Sequence, residues 1–194
     1  MAKENSIEKF TNSYLTKLKK TLDEINPILV KDITEALNHT ITKKSKVYVI
    51  GNGGSSATAS HIANDLGSGL KRRKILNLNI LSLVDNSPVI TALANDTGYE
   101  NIFYKQIEGV INSDDLVIAI SCSGNSLNII KAVDYAKKKG CTIIGLTGFD
   151  GGKLIDLSDI KFHINTKKGE YGIVEDAHMI LNHIIFSYFT QKGT

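Results

Sequence analysis

Apolar residues fall into two kinds of pattern along the chain. Runs without alternation at 47–50, 116–120 and 142–146, and looser ones at about 78–84 and 161–165, read as strands. A strand that is apolar on successive residues is buried on both faces, which is the habit of a parallel sheet. Between them the spacing turns helical. Leu15, Leu18, Leu22 and Ile25 recur at heptad-like intervals within a helix expected over 5–25, with Asn5 as its cap and Glu8 three positions on. Asn26-Pro27 restarts a second helix, with Leu29, Ile33 and Leu37 on one face. Ala59, Ile62, Ala63 and Leu66 define a stripe on a helix over 55–66. Shorter helices are expected at about 87–95 and 99–111, split by Asn95-Asp96-Thr97-Gly98. Another ends near Lys139, and a last one runs from about Ile173 to Thr190.

Strands alternating with helices predict a doubly wound α/β fold: a three-layer αβα sandwich on a five-stranded parallel sheet, preceded by two helices. At 194 residues the chain is expected to form one domain over 1–194, with a helical pair at about 5–42 and a core at about 46–194. The two leading helices have no strand between them. They must pack on the sheet flank or on another subunit, and the leucine seam favours the second in part.

Composition narrows the class. Hydrophobic content of 42% and charged content of 22% are those of an ordinary globular protein. The net charge of +3 is mild, and the basic clusters at 17–20, 43–46, 71–74 and 137–139 read as solvated helix ends and loops rather than a nucleic-acid surface. The sequence shows no signal peptide and no membrane-spanning stretch, and Cys122 and Cys141 have no disulfide-framework spacing. A cytoplasmic protein with reduced thiols is the expectation.

Two strand–helix corners carry the candidate chemistry. GNGGSS at 51–56 follows the first strand, and SCSGNS at 121–126 follows the third. Glycines allow a sharp turn, Ser55 and Ser56 are expected to cap the next helix, and free N–H groups at a helix start suit an anion, most simply a phosphate. A dinucleotide fingerprint is excluded, because serine stands at 56 where a third glycine belongs and no acid follows until Asp85. A P-loop is excluded by the missing lysine. Ser121, Ser123 and Ser126 add hydroxyl donors at the second corner. Cys122 has no histidine nearby in sequence to activate it and reads as a small loop residue.

The polar residues of the apolar final helix need partners if that helix is buried: Glu175, Asp176, His178 and His183. His61 and Asp65, spaced i and i+4, project away from the apolar stripe of their helix. Two histidines and two carboxylates on two helices suit a divalent metal. Zinc fits this donor set best, with iron, manganese, cobalt and nickel as alternatives.

GNGGS-x5-H at 51–61, AND-x-G at 94–98, S-x-SGNS at 121–126, LTGFDGG at 146–152 and ED-x-H-x4-H at 175–183 together resemble the sugar isomerase (SIS) domain family. Within it the chain is similar to the sedoheptulose 7-phosphate (phosphoheptose) isomerases. The resemblance implies a flavodoxin-like SIS fold and a homotetramer with active sites at subunit interfaces. It also implies conversion of sedoheptulose 7-phosphate to D-glycero-D-manno-heptose 7-phosphate through an enediol. By position, Asn52, Gly53, Gly54, Ser55, Asp65, Asn95, Asp96, Ser121, Cys122, Ser123, Ser126 and Glu175 would contact substrate. His61, Asp65, Glu175 and His183 would bind zinc, and Asp65 and His183 would transfer the proton.

The chain departs from the family pattern at four places. Asp65 stands where the family has glutamate and Glu175 where it has glutamine. Gly69 replaces an arginine, and Gly172-Ile173 replaces Asp-Arg. Two alternatives remain: a non-catalytic SIS protein of the kind that associates with a replication initiator, and an isomerase of a different phosphosugar.

Overall fold

A computed structural model describes residues 6–193. Helix α1 (Ile7–Asp23) is capped by Ser6, whose Oγ accepts from Lys9 N at 3.3 Å. The cap expected at Asn5 lies outside the described residues. Helix α2 (Pro27–Lys43) begins as expected, with Pro27 in its first turn and Asn26 Oδ1 accepting from Ile28 N.

Five strands follow in chain order: β1 (Lys46–Gly51), β2 (Asn79–Ser82), β3 (Leu116–Ser121), β4 (Thr142–Phe149) and β5 (Ile160–Asn165). They form one parallel sheet in the order β2-β1-β3-β4-β5. Successive side chains leave a strand on opposite faces, and the core divides accordingly. Val47, Val49, Ile118 and Leu146 pack beneath α2 and the final helix with Ile33, Leu37, Leu181 and Ile185. Tyr48, Ile50, Val117, Ala119 and Ile143 face the other layer with Phe103, Ile129, Val133 and Leu154. Both faces are covered by helices, which is why these strands read as unbroken apolar runs.

The remaining helices are α3 (Gly54–Ile62), α4 (Leu70–Arg72), α5 (Ser87–Thr97), α6 (Tyr104–Ile107), α7 (Leu127–Lys138), α8 (Gly152–Leu157) and α9 (Tyr171–Lys192). Three segments differ from the sequence expectation. The helix expected over 55–66 is α-helical only to Ile62 and then becomes a π-helix over Ala63–Gly69. The helix expected over 99–111 is a 3-10 turn, Tyr99–Asn101, followed by the short α6. Helix α8, capped by Gly151, occupies a stretch where no helix is expected from the sequence.

Helix α2 lies on the sheet layer shared with α9, whereas α1 buries no residue fully. Of the heptad-like seam, Leu22 and Ile25 pack against the core, while Leu15 is exposed along with Ile7 and Phe10. Among the described residues no helix is long and apolar enough to cross a membrane.

Strand order reverses between β1 and β3, which are neighbours although β2 intervenes in sequence. The loops after these two strands therefore lie side by side at the carboxyl edge of the sheet. That is the switch point where open α/β sheets hold ligands.

Candidate active site

The GNGGSS and SCSGNS loops meet at this switch point. A cavity of about 170 Å³ is lined there by Asn52, Ser55, Ser121, Ser123, Ser126 and Glu175, with Cys122 and Tyr171 at its wall. Ser121 Oγ accepts from Gly124 N at 3.1 Å and lies 3.4 Å from Ser126 Oγ. Ser126 occupies the cap position of α7 without bonding its own helix, so the Leu127 and Asn128 amides stay available, while Ile129 N is taken by Asn128 Oδ1. Free hydroxyls beside a helix start are what an anion requires. Gly124 must be glycine: its φ is 63°, and a Cβ there would strike the Gly151 carbonyl.

Ser55 and Ser56 do not cap α3 as expected. Gly53, with φ 54°, is the cap residue, and no side chain bonds the helix start. Ser55 is buried and faces Cys122 Sγ, while Ser56 Oγ donates to the Gly53 carbonyl. Burial pushes the Cys122 thiol above its ordinary range, and the Glu175 charge adds to this, so the neutral thiol is the resting form.

Asn52 is held by a reciprocal amide pair: Asn52 Nδ2 donates to Asn128 Oδ1 at 2.9 Å, and Asn128 Nδ2 donates back to Asn52 Oδ1 at 2.8 Å. Tyr99 Oη also donates to Asn52 Oδ1. Neither Asn128 nor Tyr99 stands out in sequence, since asparagine at a helix start usually reads as a cap.

A second cluster sits where the end of α3 meets α9. Nε2 of His61 and Nε2 of His183 lie 3.2 Å apart, and His61 Nε2 lies 3.1 Å from Asp65 Oδ2. One donor atom from each of the three residues falls within 4.8 Å of the others. A tetrahedral ion with ligands at about 2.0–2.1 Å sets its donors about 3.3 Å apart. Both observed separations match that edge, and the donor set of two imidazoles and a carboxylate suits a divalent metal. Three protein donors from one chain leave a further coordination position that another ligand can fill.

A SIS domain family model matches residues 10–148. The phosphoheptose isomerase of Helicobacter pylori (strain P12) is 36% identical over 168 residues, 87% of this chain and 85% of that protein. That of Fusobacterium nucleatum subsp. nucleatum is 41% identical over 153 residues, 79% of this chain and 77% of the relative. This chain belongs to the phosphoheptose isomerase family of SIS domain proteins. The solved structure of a phosphoheptose isomerase from Francisella tularensis aligns with a TM-score of 0.85 at 27% identity, over 96% of this chain and 99% of that one.

In this member of the phosphoheptose isomerase family the expected site residues fall into three groups. His61, Asp65 and His183 come together. Asn52, Ser55, Ser121, Cys122, Ser123, Ser126 and Glu175 line the serine cavity; Gly53 and Gly54 start α3 between Asn52 and Ser55, and Gly54 lies against the Glu175 carboxylate. Asn95 and Asp96 lie exposed in the last turn of α5, where Asn95 Nδ2 donates to Asp96 Oδ1, and they do not line that cavity.

Glu175 does not join the histidines within one chain. It precedes His183 by eight residues of continuous helix, a rise of about 12 Å. Its carboxylate instead crowds Gly54, where a Cβ would collide with it. Burial raises the Glu175 carboxyl above its usual range, and the neighbouring Asp176 charge adds to the shift. Asn182 is the residue the sequence reading passed over: its Nδ2 donates to Asp65 Oδ2 at 2.8 Å.

Proposed function

We infer that this protein is a phosphosugar isomerase that interconverts sedoheptulose 7-phosphate and D-glycero-D-manno-heptose 7-phosphate. The observation that carries the reading is the meeting of His61, Asp65 and His183 from two helices, in a chain whose curated relatives are phosphoheptose isomerases. A non-catalytic scaffold has no use for two converging imidazoles.

In this reading Ser121, Ser123, Ser126 and the α7 amides hold the phosphate, while Asn52, braced by Asn128 and Tyr99, orients sugar hydroxyls. The resemblance also assigns Asn95 and Asp96 to substrate, although they sit at the end of α5 outside the serine cavity. Asp65 moves the proton between C1 and C2, and His183 serves the two oxygens as the enediol forms and collapses. His61, Asp65 and His183 would hold a zinc ion, which when bound supplies Lewis-acid polarisation of the carbonyl. The resemblance also calls on Glu175 as a ligand. The 12 Å rise along α9 keeps Glu175 from this cluster within one chain, so in this reading a second copy supplies it, in a homotetramer with shared sites. The whole chain, 1–194, acts as one SIS domain with its α/β core carrying the site, in a cytoplasmic enzyme whose two cysteines are free thiols.

Incubation of the pure protein with sedoheptulose 7-phosphate, with and without zinc, tests the reading by aldose formation. Zinc-stimulated turnover is expected, and no turnover in either condition rejects it. His183→Ala should lower kcat by at least about 100-fold with an unchanged circular dichroism spectrum.

A further inference from the structure

Asn182 is 2% exposed and sits on the α9 face turned toward the core. Its surroundings are apolar: Ile33, Leu37, Ile62, Leu66 and Leu181 line the small space of about 20 Å³ beside it. Its Oδ1 has no hydrogen-bond partner. Among the described residues its side chain makes a single polar contact, the bond from Nδ2 to Asp65 Oδ2. An apolar side chain of similar volume would suit this position better for folding alone, because a buried amide with an unpaired carbonyl is costly.

The oxygen it holds is the one that faces the imidazoles. Asp65 Oδ2 accepts from Asn182 and lies 3.1 Å from His61 Nε2, whereas Oδ1 accepts only from the exposed Asn64. An aspartate carboxylate rotates broadly about its last torsion, so without a fixed donor its plane is free to turn away from the cluster. We propose that Asn182 is a positioning residue for Asp65, its buried amide fixing Oδ2 toward His61 and His183 so that the carboxylate meets a divalent cation in one orientation. The neighbouring residue His183 supplies a donor itself, so this one turn of α9 sets both an imidazole and the carboxylate opposite it. The proposal rests on the metal-site reading of the cluster and adds a residue to it.

The test uses Co²⁺ as a spectroscopic probe, with affinity read from visible absorption in wild type, Asn182→Leu and Asn182→Ser. Partners that orient metal ligands are worth about 10–100-fold in affinity or activity. Both variants should lose roughly that factor in Co²⁺ affinity, and kcat should fall with KM little changed. Asn182→Leu should melt no lower than wild type; should it misfold, the smaller Asn182→Ser variant carries the comparison. In an Asp65→Ala background, Asn182→Leu should change Co²⁺ affinity by less than about twofold, because the contact is already gone. Wild-type affinity in the Asn182 variants, an equal loss in both backgrounds, or no Co²⁺ binding by wild type overturns the proposal. Amide-dependent Co²⁺ binding without turnover of sedoheptulose 7-phosphate would leave this inference standing and remove the isomerase assignment. Turnover that survives loss of the amide would do the reverse.

Discussion

His178 shows how one residue of the ED-x-H-x4-H motif serves the fold rather than the site. It is 1% exposed against Phe162, its Nε2 lies 3.3 Å from the Thr147 carbonyl, and its Nδ1 has no partner. Burial drives its pKa down from 6.5 to about 4, with the Thr147 carbonyl opposing and His163 assisting. The folded protein therefore binds this proton more weakly than the unfolded chain does. The stability it contributes is fully present above pH 6.5 and is lost as pH falls toward 4, up to about 3 kcal/mol across the window. Urea midpoints at pH 7 and pH 4.5 measure the effect. His178→Leu should flatten the drop between the two, and an unchanged drop would show that other groups drive acid unfolding. Glu175 poses the opposite case, since its pKa is raised and it lines the cavity proposed for the phosphate.

At the scale of elements, the strands were legible because a sheet covered on both faces writes itself as unbroken apolar runs. The paired imidazoles were legible because charged or polar residues in an apolar helix demand partners. The same burial argument applied to Asn182 would have found the Asp65 contact, but a lone asparagine beside a histidine reads as solvated. The π-helix at Ala63–Gly69 was not legible, because what decides it lies far off in sequence. Such turns are frequent at functional sites, and this one carries Asp65 to α9. Gly67 lets the turn sit against β2: a Cβ there would lie 2.6 Å from Ile80 Cγ2. Gly67→Ala should thus push the turn off the sheet, costing about 1–3 kcal/mol in stability and displacing Asp65. Thermal melting and turnover measured together check this. Adding Ile80→Ala should restore part of the turnover lost in Gly67→Ala, and no restoration would mean that the turn is fixed by something other than this contact.

At the scale of the whole molecule, the flank formed by the leading helices and α9 is apolar and uncovered in the single chain. Leu22 and Val30 from the leading helices, Ile25 from the turn between them, and Ile180, Ile184 and Tyr188 from α9 line a cleft of about 440 Å³. An exposed apolar surface of this kind marks an interaction site more often than a free surface. It continues into a shallower depression that includes His183, so whatever covers the flank reaches the edge of the histidine cluster. In the proposed reading Glu175 points the same way, because within one chain it stands eight helical residues from His183 and a second copy would have to bring it to these histidines. Subunit assembly and catalysis are then one property. Ile184, 40% exposed, lies within the cleft and one residue beyond His183, on a side chain that ligates nothing. If this flank is the contact of the proposed homotetramer, Ile184→Glu should place a charge in it, shift the protein toward smaller species in light scattering, and reduce turnover in proportion to the assembly lost. Raising protein concentration should recover both together, since association follows mass action. A dissociated variant with full activity would show that each chain carries a complete site, and Glu175 would then have no part in metal binding.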